Sequence, residues 1–270
     1  MPSIWIVNQF ANTHDFPGHS RHFEIALGLI ERGWDVEIFA SDFNLSQRRY
    51  LKLNKFQFFK SEFIEGISWT WLKVLPYSNN DWKRYLNMAS FCASLFPFLI
   101  CKLFFLRLFN KTPNIIFSSS PQLPAVFITM IIAKIFGIPF VSEIRDLWPD
   151  ILVDLGGMSQ KNRIVKILSY IEKKIYKNSD LIICLAEGVK NCISNRGGKK
   201  IIWLPNGPDL NLFKQMPLLF ENQKFDAVRP FDLIYAGAHG SANALDNIIK
   251  SAKILEMRNL PVRIFLLGDG

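Results

Sequence analysis

The run Glu143-Ile144-Arg145-Asp146-Leu147-Trp148-Pro149-Asp150 gathers more chemistry than any other stretch of the chain. It follows an apolar run, so it lies at the carboxyl end of a strand, where open α/β sheets collect their ligands. Strand alternation puts Glu143 and Arg145 on one side. Arg145 carries a planar fork suited to a phosphate or carboxylate, and Asp146 is a group that can accept a proton from a hydroxyl. A structural Arg–Glu pair that orders the loop fits the same residues.

Two further loops have the composition to hold phosphates or sugars. Asn8–His22 contains Pro17-Gly18-His19-Ser20-Arg21-His22 and follows the first apolar run. It is longer than the ~2–6 residues usual for such a loop. A helix N-terminus offers free N–H groups to an anion, which makes Gly18 and Arg21 the phosphate candidates there; a plain surface loop fits as well. Gly237-Ala238-His239-Gly240-Ser241 follows a later strand. Its glycines allow the backbone close to an anion, and Ser241 can cap the next helix. A structural turn fits this stretch too. Gly268-Asp269-Gly270 ends another strand.

Other chemistries lack their motifs. The sequence has no D-x-D, no nucleophile elbow, no Walker loop and no dinucleotide fingerprint, and its four histidines show no zinc-ligand spacing. No nucleic-acid-binding module is visible. A formal charge of +9, from 32 basic and 23 acidic residues, suits an anionic partner instead. Cys92, Cys101, Cys184 and Cys192 sit in apolar runs without a C-x-x-C pair, which reads as reduced core thiols of a cytoplasmic protein. The N-terminus MPSIWIVNQF lacks a basic region and a long apolar segment, and reads as a strand rather than a signal peptide.

Strand-like and helical runs alternate along the chain. Strands are predicted at Ser3–Asn8, Asp35–Ala40, Phe56–Phe63, Asn114–Ser118, Phe140–Ile144, Leu181–Leu185 and Lys200–Leu204. Helices are predicted at Arg21–Arg32, Leu123–Phe136, Asn162–Lys177 and Glu187–Asn195, with an irregular aromatic stretch around Trp69, Trp71, Tyr77 and Trp82. The alternation predicts a doubly wound α/β domain over 1–208. A polar, Pro-containing linker over 209–230 follows. Phe231–Ala236, Ala242–Met257 and Val262–Leu267 then make one βαβ unit, the start of a second domain. One βαβ cannot cover both faces of a parallel sheet, so that domain is expected to be incomplete within this stretch.

Tyr85–Cys101 carries no charge, and the apolar run continues past Lys102 and Arg107 to Phe109. Lys83, Asn87, Ser90 and Ser94 form a polar stripe on a helix here. The pattern fits a helix lying in a membrane interface, a helix buried in the protein, or a span interrupted by Pro97. Lys161–Lys177 adds basic charge that would favour anionic lipid.

Together, "NQFANTHDFPGHSRHFEIALGLIERGWDVEIFAS", "VSEIRDLWPD", "WLPNGPDLNLF" and "YAGAHGSANALDNIIKSAKILE" resemble the retaining family-four glycosyltransferases. The resemblance lies nearest the branch of L-fucosamine transferases in surface-polysaccharide clusters such as O-antigen and capsule. It implies a GT-B fold of two Rossmann-like domains, an acceptor-side N-terminal domain and a nucleotide-sugar-binding C-terminal one. The donor is expected to be UDP-linked, carrying a hexose or aminosugar, with no metal or other cofactor. The acceptor is expected to be an undecaprenyl-diphosphate-linked sugar, met at the cytoplasmic face of the inner membrane by a peripheral protein. Gly18 matches the loop beside the donor phosphates, and Gly237 and Gly240 match the phosphate-facing turn. Arg145 and Asp146 stand where many relatives have a His-Asp pair at the reaction centre. His239 is the cationic candidate near a usual Arg, and Ala244 replaces a usual Lys. The family's E-x7-E motif would follow Gly270, so transfer is not expected from these 270 residues alone. A nucleotide-sugar 2-epimerase of the same fold and a non-catalytic sugar-nucleotide or lipid-binding module are the rival readings.

Overall fold

A computed structural model describes the chain except residues 17, 19, 45, 79–81, 208–229, 241–242 and 269–270. The linker expected over 209–230 therefore lies almost wholly outside the described residues, as do Ser241 and the last two residues of Gly268-Asp269-Gly270. The chain divides into two compact units, Met1–Pro208 and Asp209–Gly270.

The first unit contains β1 (Ser3–Val7), α1 (Arg21–Ile30), β2 (Asp35–Ser41), β3 (Phe43–Asn44), β4 (Arg49–Tyr50), β5 (Phe59–Ile64), β6 (Ile67–Leu72) and α2 (Trp82–Leu108). It continues through β7 (Ile115–Ser119), α3 (Leu123–Phe136), β8 (Phe140–Ile144), α4 (Asp150–Asp154), α5 (Arg163–Asn178), β9 (Leu181–Cys184), α6 (Lys190–Asn195) and β10 (Ile201–Trp203). Eight strands form one sheet in the order β10-β9-β8-β7-β1-β2-β6-β5. All its pairings are parallel except β5 with β6. Central strands such as β1 and β8 are apolar and buried on both faces, as parallel strands under helices must be.

The stretch expected to be irregular around Trp69 and Trp71 is in fact β6. Both indoles are fully buried and stacked, with ring centroids 4.7 Å apart. Its burial on both faces removes the alternation by which a strand is recognised, and tertiary contact overrides the local pattern. The strand expected at Phe56–Phe63 begins three residues later, because Glu65 and Gly66, at φ +48° and +84°, form a tight hairpin turn that fixes its register against β6.

α2 and α3 pack together, as do α3 and α5. Asn87, Ser90 and Ser94 of the polar stripe of α2 point into the protein, against the strand-exit segment after β6, while Lys83 is exposed. The Asn87 amide donates to the Leu75 carbonyl (2.6 Å) and accepts from Gln9 (2.7 Å). Ser90 Oγ accepts from the Leu75 N–H, and Ser94 Oγ donates to the Lys73 carbonyl (2.8 Å each). Lys102 turns inward to Glu37. With these polar groups turned inward, Phe96, Phe104, Phe105, Leu108 and Phe109 are left exposed, Leu108 at 68%. α2 thus buries one apolar face, through Phe91, Leu95, Leu99 and Leu103, and exposes a second.

Cys92 and Cys184 are buried free thiols, whereas Cys101 is exposed and Cys192 only half-buried. The expectation of four core thiols fails for these two because both lie on the solvent side of their helices. Burial pushes the Cys92 thiol up to about 11, so it stays a packing group.

The second unit holds β11 (Phe231–Ala236), α7 (Leu245–Met257) and β12 (Val262–Leu267), with the two strands paired in parallel.

Candidate active site

The sheet order reverses at β1, which has β2 on one side and β7 on the other. In open α/β sheets the crevice for ligands lies at this switch point, beyond the carboxyl ends of the strands. Three segments converge there: Asn8–Thr13 after β1, Ser118–Ser120 at the end of β7, and Glu143 at the end of β8.

The first segment is unlike a surface loop. Asn8, Gln9, Asn12 and Thr13 are each at most 5% exposed. The loop runs on beside the end of β2, with the Asn8 N–H donating to the Phe39 carbonyl and the Ser41 N–H to the Gln9 carbonyl. Gly18 closes on it at φ +142°, where a Cβ would lie 2.6 Å from the Asn12 amide nitrogen, so only glycine fits. Several buried polar atoms have no hydrogen-bond partner within the chain: Asn8 Nδ2, Gln9 Oε1, Thr13 Oγ1, His22 Nδ1 and Gln122 Oε1. Buried polar groups are nearly always paired. Such atoms need an ordered water or a polar ligand to pair them.

Glu143 is the hub. Fully buried, its carboxylate accepts from Arg21 Nε (2.8 Å) and Ser119 Oγ (2.6 Å), and faces His22 Nε2 at 3.1 Å. Burial alone would raise its pKa. The His22, Ser119 and Arg21 contacts outweigh burial and hold the carboxyl down at about 2. The same guanidinium reaches the exit of β10, donating to the carbonyls of Leu204 (2.9 Å) and Pro205 (3.0 Å) and to Asn206 Oδ1 (3.1 Å). Four of its five N–H donors are thus directed at the chain itself. Arg21, expected at a phosphate, is a clamp joining α1, β8 and the Pro205-Asn206-Gly207 turn. Glu143 does form an Arg–Glu pair, but with Arg21 rather than Arg145.

His22 was not singled out by sequence. Its signal was faint: a histidine opening a helix, with a glutamate ending a strand far along the chain. A carboxylate on one ring nitrogen fixes the imidazole, and the other, Nδ1, is buried without a partner in the chain.

Because the folded-state pKa of Glu143 lies below its ordinary value, its stabilisation is complete above about pH 4.5 and is lost as pH falls towards 2. The difference corresponds to on the order of 3 kcal/mol. Thermal melts through this acid window should show a steeper loss for the parent than for Glu143→Gln. Parallel slopes would show that the carboxylate is not held this way.

Arg145 and Asp146 follow at the end of β8. The Arg145 N–H donates to Ser120 Oγ (2.8 Å), which ties the loop to the end of β7, and Asp146 is exposed. In the second unit, Gly237, His239 and Gly240 lie between β11 and α7. Tyr235 Oη and Asn243 Nδ2 both donate to the Ala238 carbonyl, which shapes the turn. His239 Nε2 is buried there without a partner in the chain. The end of β12 passes so close that a Cβ on Gly268 would lie 1.9 Å from the Gly237 carbonyl oxygen. Ser241 lies outside the described residues.

No protein-family profile matches the chain, and no curated protein matches it. Solved structures do. Sucrose-phosphate synthase from Thermosynechococcus elongatus is similar at 12% identity and a TM-score of 0.57, over 100% of this chain and 71% of that one. Anabaena HepE, solved in complex with UDP, is similar at 13% identity and 0.52, over 100% of this chain and 70% of that one. Arabidopsis thaliana UGT89C1, complexed with quercetin, gives 13% and 0.51, over 100% and 69%. The likeness defines the class by fold: a GT-B-type α/β architecture, shared with glycosyltransferases.

Proposed function

We propose that this chain belongs to a retaining family-four glycosyltransferase that moves a sugar from a UDP-linked donor to a lipid-linked acceptor at a membrane surface. The observation that carries the reading is the crevice at the ends of β1, β7 and β8, where Asn8, Thr13 and His22 present buried polar atoms unpaired within the chain. A sugar or diphosphate supplies the hydrogen-bonding groups such atoms need. The likeness to HepE, which was solved with UDP, supports a uridine donor. The turn Gly237–Gly240, between β11 and α7, supports an anionic group such as the donor's diphosphate.

In this mechanism the acceptor oxygen bonds to the anomeric carbon as the bond from that carbon to the diphosphate breaks, and the hydroxyl proton passes to the departing diphosphate oxygen. Asp146, exposed at the end of β8, orients the acceptor hydroxyl by accepting its hydrogen bond, and Arg145 lies beside it for the developing negative charge. Incubation of the full-length protein with labelled UDP-sugars and polyprenyl-diphosphate sugars tests the reading, with anomeric configuration read by NMR. Retained configuration in a lipid product is expected; hydrolysis or epimerisation of the donor alone would overturn it.

The membrane part of the proposal draws on the outward face of α2. A 27-residue helix whose most apolar 18-residue stretch has a mean hydropathy of 2.0 and is only 28% buried fits a helix lying in an interface. Lys166, Lys173 and Lys174 are exposed on α5 and add attraction to anionic lipid. That attraction is screened within about 8 Å at physiological salt. Flotation with anionic liposomes should therefore show a salt-sensitive fraction, lost when the lysines are replaced, and a salt-resistant remainder, lost in Phe104→Ser/Phe105→Ser. Protein that stays soluble at low salt would remove the membrane from the reading.

A further inference from the structure

We propose that the groove between α2, the start of α3 and α5 holds a hydrocarbon chain of the lipid-linked acceptor, with the polar head of that lipid at Gln122. The inference rests on the lipid-acceptor reading above and adds a binding place for the chain. The groove has a volume of about 520 Å³, within the ~300–1,000 Å³ of ligand pockets. Met88 and Cys92 form one wall, and Trp148, Leu152, Ile164 and Leu168 form the other. Such a lining offers a ligand little except apolar contact.

Its polar atoms are few. Gln122 is 2% exposed; its Nε2 donates to the Met88 carbonyl (2.5 Å), and its Oε1 has no partner in the chain. Trp148 Nε1 is likewise buried and unpaired. An ionised phosphate only accepts, so it takes the Trp148 N–H, while Gln122 Oε1 takes a hydroxyl of the sugar that the phosphate carries. Gln122 begins α3, two residues after Ser120, whose hydroxyl holds the Arg145 N–H. A head bound there is therefore delivered to the strand ends that carry Arg145 and Asp146.

Continuity decides the occupant. Tyr85 and Ala89 line the groove and are also exposed on α2, at the start of the outward apolar face that runs through Phe96 to Leu108. A chain leaving a bilayer against that face enters the groove without crossing a charged surface. A peptide would bring a row of backbone N–H and C=O groups, against which the groove offers one acceptor and one donor.

Butyl, hexyl, octyl and decyl phosphate, each below its micelle threshold, serve as probes by titration calorimetry. Affinity should rise roughly fourfold per added methylene until the groove is full, which is the apolar transfer value. Cys92→Trp fills the groove and should abolish the length dependence; Phe56→Ser, an exposed position outside the groove, should keep it. Affinity independent of length, or an unchanged slope in a folded Cys92→Trp, would overturn the proposal. Quenching by a brominated decyl phosphate reads the same site if Cys92→Trp does not fold. The quenched fluorescence should be lost in Trp148→Phe, and equal quenching in both proteins counts against the groove. Length-dependent binding without sugar transfer would sink the enzymatic reading and leave the groove standing. Transfer to a lipid acceptor with no length dependence would do the reverse.

Discussion

Replacing Asp146 by Ala is expected to lower turnover about 100-fold while leaving the KM for the nucleotide sugar unchanged. The magnitude is that of a reacting hydroxyl displaced by about 1 Å from its productive position. The selectivity follows from where the residue stands. Asp146 is exposed at the end of β8 in the first unit, whereas the turn proposed for the donor phosphates belongs to the second. Removing it should therefore disturb the acceptor and spare the donor. Steady-state kinetics with both substrates varied checks this. A KM change for the nucleotide sugar with kcat intact would assign Asp146 to donor binding, and unchanged kinetics would remove it from the site.

The second large effect concerns folding. Glu143→Ala takes away the partner of Arg21 and leaves a guanidinium, 12% exposed, without its buried carboxylate. Breaking a buried pair by removing one side costs about 3–5 kcal/mol. At about 2–4 °C per kcal/mol for a unit of this size, the melting temperature should fall by about 10 °C. The damage should also spread along the clamp, because Arg21 is held in place to reach Leu204, Pro205 and Asn206. Amide exchange at Ile202–Gly207 should accelerate with exchange at the start of α1. A fall of less than about 2 °C, within the effect of a neutral surface change, would show that the hub adds little to stability.

Much of the architecture was legible in local pattern. α3 and β8 occupy the residues that apolar runs and the breaker Gly137-Ile138-Pro139 mark out, and Gly137 ends α3 in the left-handed conformation at φ +69°. Asn162 opens α5 as its sequence position suggests, its side chain accepting from the Ile164 N–H. β11 and β12 likewise follow their apolar runs. Strand–turn–helix alternation of this kind is set within a few residues, so a sequence carries it openly. The strand end bearing Glu143, Arg145 and Asp146 was visible for the same reason.

What the chain brings together across long separations was not legible. Arg21 and Glu143 are 122 residues apart, and Arg21 and Asn206 are 185 apart. Nothing local to Arg21 distinguishes a phosphate ligand from a clamp; the sheet order decides, by placing the ends of β7 and β8 beside the start of α1. Burial also decided β6, whose stacked tryptophans are covered on both faces and so lose the period of an exposed strand. The orientation of α2 is of the same kind. Its sequence determined an apolar helix with a polar stripe of Asn87, Ser90 and Ser94, and either face could have turned inward. The carbonyls of Lys73 and Leu75, beyond the end of β6, take the hydrogen bonds of Ser94 and Asn87. Those part-buried bonds, with Phe91, Leu95, Leu99 and Leu103 packed in the core, hold this face of the helix inward. The sequence therefore determined which elements exist and which residues could do chemistry, and the tertiary structure decided which of them meet and which face of α2 looks outward.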